Sequence, residues 1–347
     1  MRKRIISICI IAFLVFSIYD HAQTAVYTPV TETETVRTES ADAADEEAET
    51  AEIENTESER EEPDIEDTET AIAEENLVAE TDKDADAEQW LSGHGYVSGI
   101  TVWSVTQEDI DRISGMEDLD SLAFSISGDN MDLSPLGRLL HLRELTIFFV
   151  GGTDDLDLSF VKELRYLTTI CFDKCTSLED LSLFEDMLCL KDLDVGYVDD
   201  GDLNYLSGCV NLESINICGN HIRNVEGLSN LMSLHYLALM ESAPRKEPIM
   251  NDLEQISELK GLEGVTLRFI DVSDASMLSN LPNLRRIFLV DTGISDIESL
   301  NNLERIESLE IFGNESERVK EQAAIYFKDI KKVNVTEDIP NNLRNYQ

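Results

Sequence analysis

Basic side chains are scarce in this sequence: Lys and Arg total 27 against 71 Asp and Glu, a formal net charge of -44 over 347 residues. Phosphate backbones are held by clusters of Lys and Arg, so nucleic acid is not an expected partner. Long apolar runs are scarce too. None follows the one at the amino terminus, and no carboxy-terminal sorting motif is recognisable. A Gly-rich phosphate loop and a Ser-centred elbow are both missing. Cysteine is thin at six residues, and CFDKC lacks the second ligand pair that a zinc site requires. No metal and no cofactor are expected.

What the amino terminus does carry is a basic segment, Arg2, Lys3 and Arg4, followed by an apolar stretch of 14 residues from Ile5 to Ile18. A membrane-spanning helix needs roughly 20, so residues 1–25 read as an export signal, or as an amino-terminal anchor if left uncut. The sequence YDHAQTA offers Ala22 and Ala25 without a clean small-x-small cleavage pattern. Cys9 lies inside the apolar run, too early for a lipoprotein cysteine. The expected location is secreted or on the extracellular face of the membrane, with membrane contact only through this segment if it stays uncleaved.

Residues 26–89 are mostly Glu, Asp, Thr and Ala, and the window 31–90 holds 25 acidic and 3 basic side chains. So little apolar surface cannot offset the entropy of ordering, and a disordered acidic stalk is expected. As a flexible coil of roughly 60 residues its ends would lie about 45 Å apart. It serves either as a solvated spacer or as an acidic segment that binds cations or basic wall polymers.

Beyond residue 90 the chain is periodic. In the stretch 211–234, NLESINICGNHIRNVEGLSNLMSL, apolar residues fall at Leu212, Ile215, Ile217, Ile222, Val225, Leu228 and Leu231, and Leu234 restarts the spacing. The first half suits a short strand with Ile215 and Ile217 on one face and Ser214, Asn216 and Cys218 on the other. The second half steps by three, which suits 3₁₀ or irregular turns. The same start recurs at Val97, Leu119, Leu142, Leu167, Leu190, Leu212, Leu234, Leu262, Leu284, Ile306 and Ile330. Most steps are 22 or 23 residues, with a longer one of 28 between Leu234 and Leu262. One coil cannot bury its own apolar side, so copies must stack.

This is a leucine-rich repeat, and residues 97–335 resemble the 22-residue subclass found in internalin-like bacterial surface proteins and in some eukaryotic regulatory subunits. The resemblance implies an α/β solenoid: a curved right-handed array with one parallel concave sheet of about eleven strands, convex turns that are mostly 3₁₀ or irregular, and protein recognition on the concave face. The family's asparagine position is kept at Asn220 and Asn314. Elsewhere it is Val105, Ser127, Val150, Cys175, Val198, Ser242, Ile270 and Thr292. The repeat domain is expected over 90–339, with an amino-terminal cap at 90–96 (Trp90 and Leu91 covering the first coil), repeats from 97, and a carboxy-terminal cap at 315–336. That last cap combines a helix in SERVKEQAAIYFKDI with a final strand, and 340–347 is a tail. The insertion MESAPRKEPIMND, residues 240–252, is expected to loop out of the array.

Candidate chemistry is read from repeat positions. Cys175 and Cys209 occupy core slots, Cys189 lies in a turn, and Cys171 and Cys218 point outward two strands apart, too far for a disulfide. Cys218 and His235 lie at opposite ends of neighbouring strands, on the order of 15 Å apart, so they form no catalytic dyad. His141 and His221 fall in outer turns. The residue after each repeat start reads Lys191, Glu213, His235, Glu263, Arg285, Glu307 and Lys331, an alternation of charge suited to pairing across the sheet.

Outward strand positions carry the binding expectation. In the carboxy-terminal half they include Tyr236, Met240, Arg268, Arg286, Phe288, Val290 and Phe312, with a smaller group at Trp103 and Phe148. Exposed aromatic and Arg side chains on a rigid surface are what interfaces use as anchors. Between the groups lie Glu144, Asp173, Asp192 and Asp194, a zone suited to a basic partner or to solubility alone. The alternative for the carboxy-terminal group is that the 240–252 insertion covers Tyr236 and Met240. The expected function is non-enzymatic recognition of a protein, or of a glycan, on the concave face. The other reading is a structural or cation- and wall-polymer-binding surface component that acts through the acidic stalk.

Overall fold

The computed structural model describes residues 99–339 except 129, 151–155, 176–177, 243–252, 273–274 and 314–315. The export segment, the stalk, the Trp90 cap, Asn314, the tail and most of the expected insertion therefore lie outside the described residues.

Eleven parallel strands form one sheet in sequential order. They are β1 Gly99–Val102, β2 Ser121–Ile126, β3 Glu144–Phe149, β4 Thr169–Asp173, β5 Asp192–Val198, β6 Ser214–Gly219, β7 Tyr236–Glu241, β8 Gly264–Arg268, β9 Arg286–Val290, β10 Ser308–Phe312 and β11 Lys332–Thr336. Parallel neighbours require a crossover on the far side. Seven of the ten crossovers contain a 3₁₀ turn, as the three-residue apolar step predicts. The others carry helices: α1 Gln107–Ile113, α2 Ser276–Ser279 and α3 Glu317–Tyr326. The chain is thus a leucine-rich-repeat solenoid.

The repeat spacing sets the register. Ile215 lies opposite Leu193 on one side and Leu237 on the other, and Ile217 lies opposite Val195 and Leu239. These inward residues are fully buried with the turn leucines Leu203, Leu206, Leu228 and Leu231, so each coil closes the open face of the one before. Removing such a side chain from water contributes about 1.5–3 kcal/mol. A short aromatic run, Phe149, Phe172 and Phe184, fills the wider coils around β4, with ring centroids 6.0 and 5.9 Å apart.

Three expectations change. The helix expected only in the last coil has a counterpart in the first, where α1 is nucleated by a reciprocal cap between Thr106 and Asp109. Met240 and Glu241 belong to β7 rather than to the insertion, and the Glu241 carboxylate turns back to accept the Ile222 N–H at 2.8 Å. The asparagine position is not a uniform inward slot. Cys175 is buried there, but Asn220 and Val150 are exposed, because the chain leaves the strand at different points in different coils. At the carboxy-terminal end, Gln322 of α3 accepts the Ile297 N–H at 3.0 Å and donates to Asp296 at 2.8 Å, which ties the terminal helix to the preceding turn.

Part of the acidic excess is structural. Asp132, Asp157, Asp180, Asp202 and Asp296 each precede a 3₁₀ turn, and each accepts the main-chain N–H two residues on, at 2.8–3.0 Å. The carboxylate satisfies an N–H that the turn leaves without an internal partner. The bonds to Ser134 hold Asp132 below the ordinary carboxylate range, and those to Ser159 and Glu298 do the same for Asp157 and Asp296. Groups depressed in the folded state stabilise it above the unfolded pKa near 3.8 and lose that contribution as pH falls through the folded value. Asp202 carries most of this kind of bonding, since it also accepts Asn224 at 2.9 Å and pairs with Arg223 at 3.1 Å. Asp202→Ala is expected to cost about 1–2 kcal/mol and Asp202→Asn less, measured by urea unfolding at neutral pH.

Candidate functional site

Stacking in register converts alternate strand residues into columns across the concave face. One column runs Tyr236, Gly264, Arg286 and Ser308, because each lies opposite the next. Gly264 has no side chain, so the groups on either side meet over it. Arg286 Nη2 donates to Tyr236 Oη at 3.3 Å, and Arg286 Cζ lies 5.4 Å from the tyrosine ring centroid. A Cβ at 264 would stand 2.9 Å from Tyr236 Cδ1, inside contact distance. The guanidinium is therefore held over an aromatic face by a hydrogen bond and a cation–π contact. Phe288 occupies the neighbouring column and packs on Phe312 at a centroid distance of 5.3 Å.

Only part of the expected patch is accessible. Tyr236, Arg286 and Phe288 are half-buried, whereas Met240, Arg268, Val290 and Phe312 are buried. The last four stand in one column at strand spacings of about 4.8 Å, so each long side chain covers its neighbour. The strand ends add to this. Phe269 and Asp291 adopt left-handed backbone angles just after Arg268 and Val290, and the Phe269 ring lies 4.6 Å from Arg268 Cζ. Those four residues support the surface rather than present it. The expected cover by the insertion falls on residues 243–252, outside the described set.

At the other end of the array, Trp103 and Phe148 stack at 5.3 Å with a 30° angle between rings. They bridge Ser125 of the strand between them, and the Ser125 hydroxyl accepts the Ser104 N–H at 2.6 Å. Trp103 is 51% exposed, the most open aromatic group on this face.

Between the aromatic groups lies a polar centre whose residue types were visible but whose arrangement was not. The β5–β6 register shifts between Val195 and Val198, and Tyr197 takes a left-handed backbone with φ of 61°. A bulge re-aims side chains locally, and a bulky residue in this region is uncommon. Burial pushes the Tyr197 phenol up, with further influence from the charges of Cys218, Arg268 and Asp173. Asp194 receives a hydrogen bond from Asn216 Nδ2 at 3.0 Å. Burial, and then the charge of Asp173, push Asp194 up to about 7 despite that bond. Asp173, at the rim, is raised too, by partial loss of hydration, with Lys174 opposing.

The charge ladder forms as the sequence predicts except at His235, which joins neither Glu213 nor Glu263. Lys191 meets Glu213 at 2.6 Å, Arg285 meets Glu307 at 3.3 Å and Glu263 at 4.0 Å, and Lys331 meets Glu307 at 2.8 Å. These pairs are partly exposed, so each contributes about 0–1 kcal/mol and chiefly helps register. Cys171, Cys175, Cys209 and Cys218 are buried and Cys189 is partly exposed. Burial holds Cys209 and Cys218 above the ordinary thiol range. Cys218 pairs with Met240, five residues along from His235, which keeps those two groups apart by about 16 Å of strand. Among the described residues no group of three or more His, Cys, Asp or Glu is placed to hold a metal ion.

No family model matches the chain, and no curated protein matches it. Among solved structures it is similar to an internalin from Listeria monocytogenes, 18% identical, covering 70% of this chain and 87% of that one at a TM-score of 0.45. It is also similar to an internalin C2 from the same species, 24% identical, covering 58% and 82% at 0.35. A leucine-rich-repeat protein of Leptospira interrogans is 15% identical, covering 66% and 80% at 0.36. These are likenesses of fold.

Two measurements check the site's energetics. Phe312→Ala removes a buried ring and is expected to cost about 3 kcal/mol of stability, while Phe288→Ala, half-buried, costs clearly less in the same denaturation assay. For Asp194, the folded value near 7 lies above the ordinary 3.8. The folded state therefore loses stability as pH rises between those values. Asp194→Asn is expected to raise stability at pH 8 by on the order of 1–3 kcal/mol, with the gain vanishing near pH 4 in paired thermal melts.

Proposed function

We propose that the solenoid is a non-enzymatic recognition module that binds a protein partner on its concave face, on an exported or surface-tethered chain. The observation that carries this reading is the Tyr236–Arg286 pair across Gly264 with Phe288 beside it. Three half-buried anchors of the types that dominate interfaces stand on two rigid strands, Tyr236 on β7 and Arg286 and Phe288 on β9, either side of β8. Their rotamers are held before any partner arrives, so little side-chain entropy is lost on contact. The three strands concerned span roughly 10 Å, and the buried column of Met240, Arg268, Val290 and Phe312 supplies a firm base beneath their edge.

A protein fits these anchors better than a glycan does. The guanidinium suits a carboxylate or main-chain carbonyl, and the rings suit apolar side chains. The basic and apolar segments at the amino terminus support export, since they precede an acidic region rather than a second apolar one. Among the described residues no helix is long and apolar enough to cross a membrane.

The test is capture of a partner with the full chain, followed by affinity measurement on single variants. Phe288→Ala and Arg286→Ala are each expected to weaken binding by about 2 kcal/mol, roughly thirtyfold in Kd, with little change in melting temperature. His221→Ala, on an outer turn, is expected to leave affinity unchanged. Unaltered binding in both concave-face variants would remove the site from this end of the sheet and move it toward Trp103 and Phe148.

A further inference from the structure

The polar centre of the concave face contains more acceptor capacity than the fold uses. Asn216 is only 9% exposed, and its Nδ2 is committed to Asp194, but its Oδ1 is buried with no hydrogen-bond partner. Buried carbonyl oxygens of this kind are rare and call for a donor. Asp194 is bonded to Asn216, and Asp173 lies diagonal to Asp194 on the next strand, two residues along from Cys171, with no ion pair joining either carboxylate to Lys or Arg among the described residues. The groups facing the centre from β4 are Cys171 and Asp173, with Lys174 just past the strand, and from β6 Cys218. On β5 itself Asp192 and Tyr197 flank Asp194, and Arg268 lies beyond β6, within reach of Tyr197 and Cys218.

We infer that Asp194, Asp173 and Asn216 form a subsite for a cationic side chain, a lysine ammonium or arginine guanidinium, presented by the protein partner. This rests on the concave-face reading above and adds the chemistry of the partner. Two carboxylates and an orphaned amide oxygen are acceptors only, which is the complement of a group that only donates. The cation takes the two carboxylates, while Asn216 Nδ2 keeps its bond to Asp194.

A consequence is linkage to protons. In the free protein Asp194 holds its proton up to about pH 7. A bound cation favours the carboxylate, so binding displaces that proton, and affinity rises with pH until Asp194 is ionised without help. From pH 6 to pH 8 the change is about tenfold. Asp173, raised in the same direction, acts with it.

The test uses the full chain with ¹³C-carboxyl-labelled Asp, titrated by NMR with Nα-acetyl-lysine methylamide and, as control, the uncharged norleucine analogue. The lysine probe is expected to lower the Asp194 midpoint by about two pH units and to bind about tenfold more tightly at pH 8 than at pH 6. The norleucine analogue should do neither, and Asp173→Asn should weaken the probe, whereas Glu226→Gln on an outer turn should not. An Asp194 signal that ignores the lysine probe, or that moves no more than those of exposed Asp residues elsewhere, would overturn the subsite. Since the titration needs no partner, its failure is separate from failure of the recognition reading. If Arg286→Ala weakens a captured partner while the probe leaves Asp194 unmoved, the subsite alone falls.

Discussion

Everything in this molecule depends on the fact that one 22-residue coil has an apolar side it cannot cover. Ile215 and Ile217 are buried only because Leu193 and Val195 lie on one side and Leu237 and Leu239 on the other. Burial by neighbours forces equal spacing, and equal spacing forces the main chains into one parallel ladder. The same constraint explains the terminal irregularities. A last coil has no successor, so α3 covers it through Val319, Ala323 and the bonds from Gln322. Lys331 and Lys332 place charge along the outermost strand, a feature that discourages pairing of an open edge with another chain.

A strongly acidic chain must still fold against its own repulsion. Among the described residues many carboxylates are occupied by specific donors. One series of aspartates closes the 3₁₀ turns, and a second set alternates with Lys and Arg beside the sheet. Arg223 shows the economy of the arrangement, gripping Asp200 with two bonds of 2.8 and 2.9 Å while also reaching Asp202. Against this background Asp194 stands out, with Asp173 and Asp291 raised in the same direction. Its charge is opposed by burial and by Asp173, and only one neutral donor favours it. Residues whose burial costs stability recur at functional sites, which accords with the cationic subsite proposed for this centre.

The concave face is therefore three surfaces rather than one. A stacked aromatic pair stands at one end, a polar centre with a bulge in the middle, and an arginine held over a tyrosine at the other. The rigid ladder beneath fixes their separations, so a partner that meets more than one of them must match in spacing as well as in chemistry. The buried column through Arg268 and Phe312 belongs to the support of this surface and not to its contacts.

How much was legible in advance follows from which interactions are periodic. The leucine spacing was sufficient for the strands, the register, the inward set and the 3₁₀ turns, and the alternating charges after each repeat start were enough to predict the ladder. The sequence also located the two aromatic groups and the acidic zone, since a column position is a matter of counting. What counting cannot supply is the effect of departures from the period. The bulge at Tyr197, the contact of Tyr236 and Arg286 over a glycine, and the mutual cover of Met240, Arg268, Val290 and Phe312 arise between side chains 20 to 50 positions apart. Outward and exposed are the same thing for one strand in isolation, but not for a column packed at strand spacing. That difference, a property of neighbours rather than of residues, was decided only by the tertiary structure.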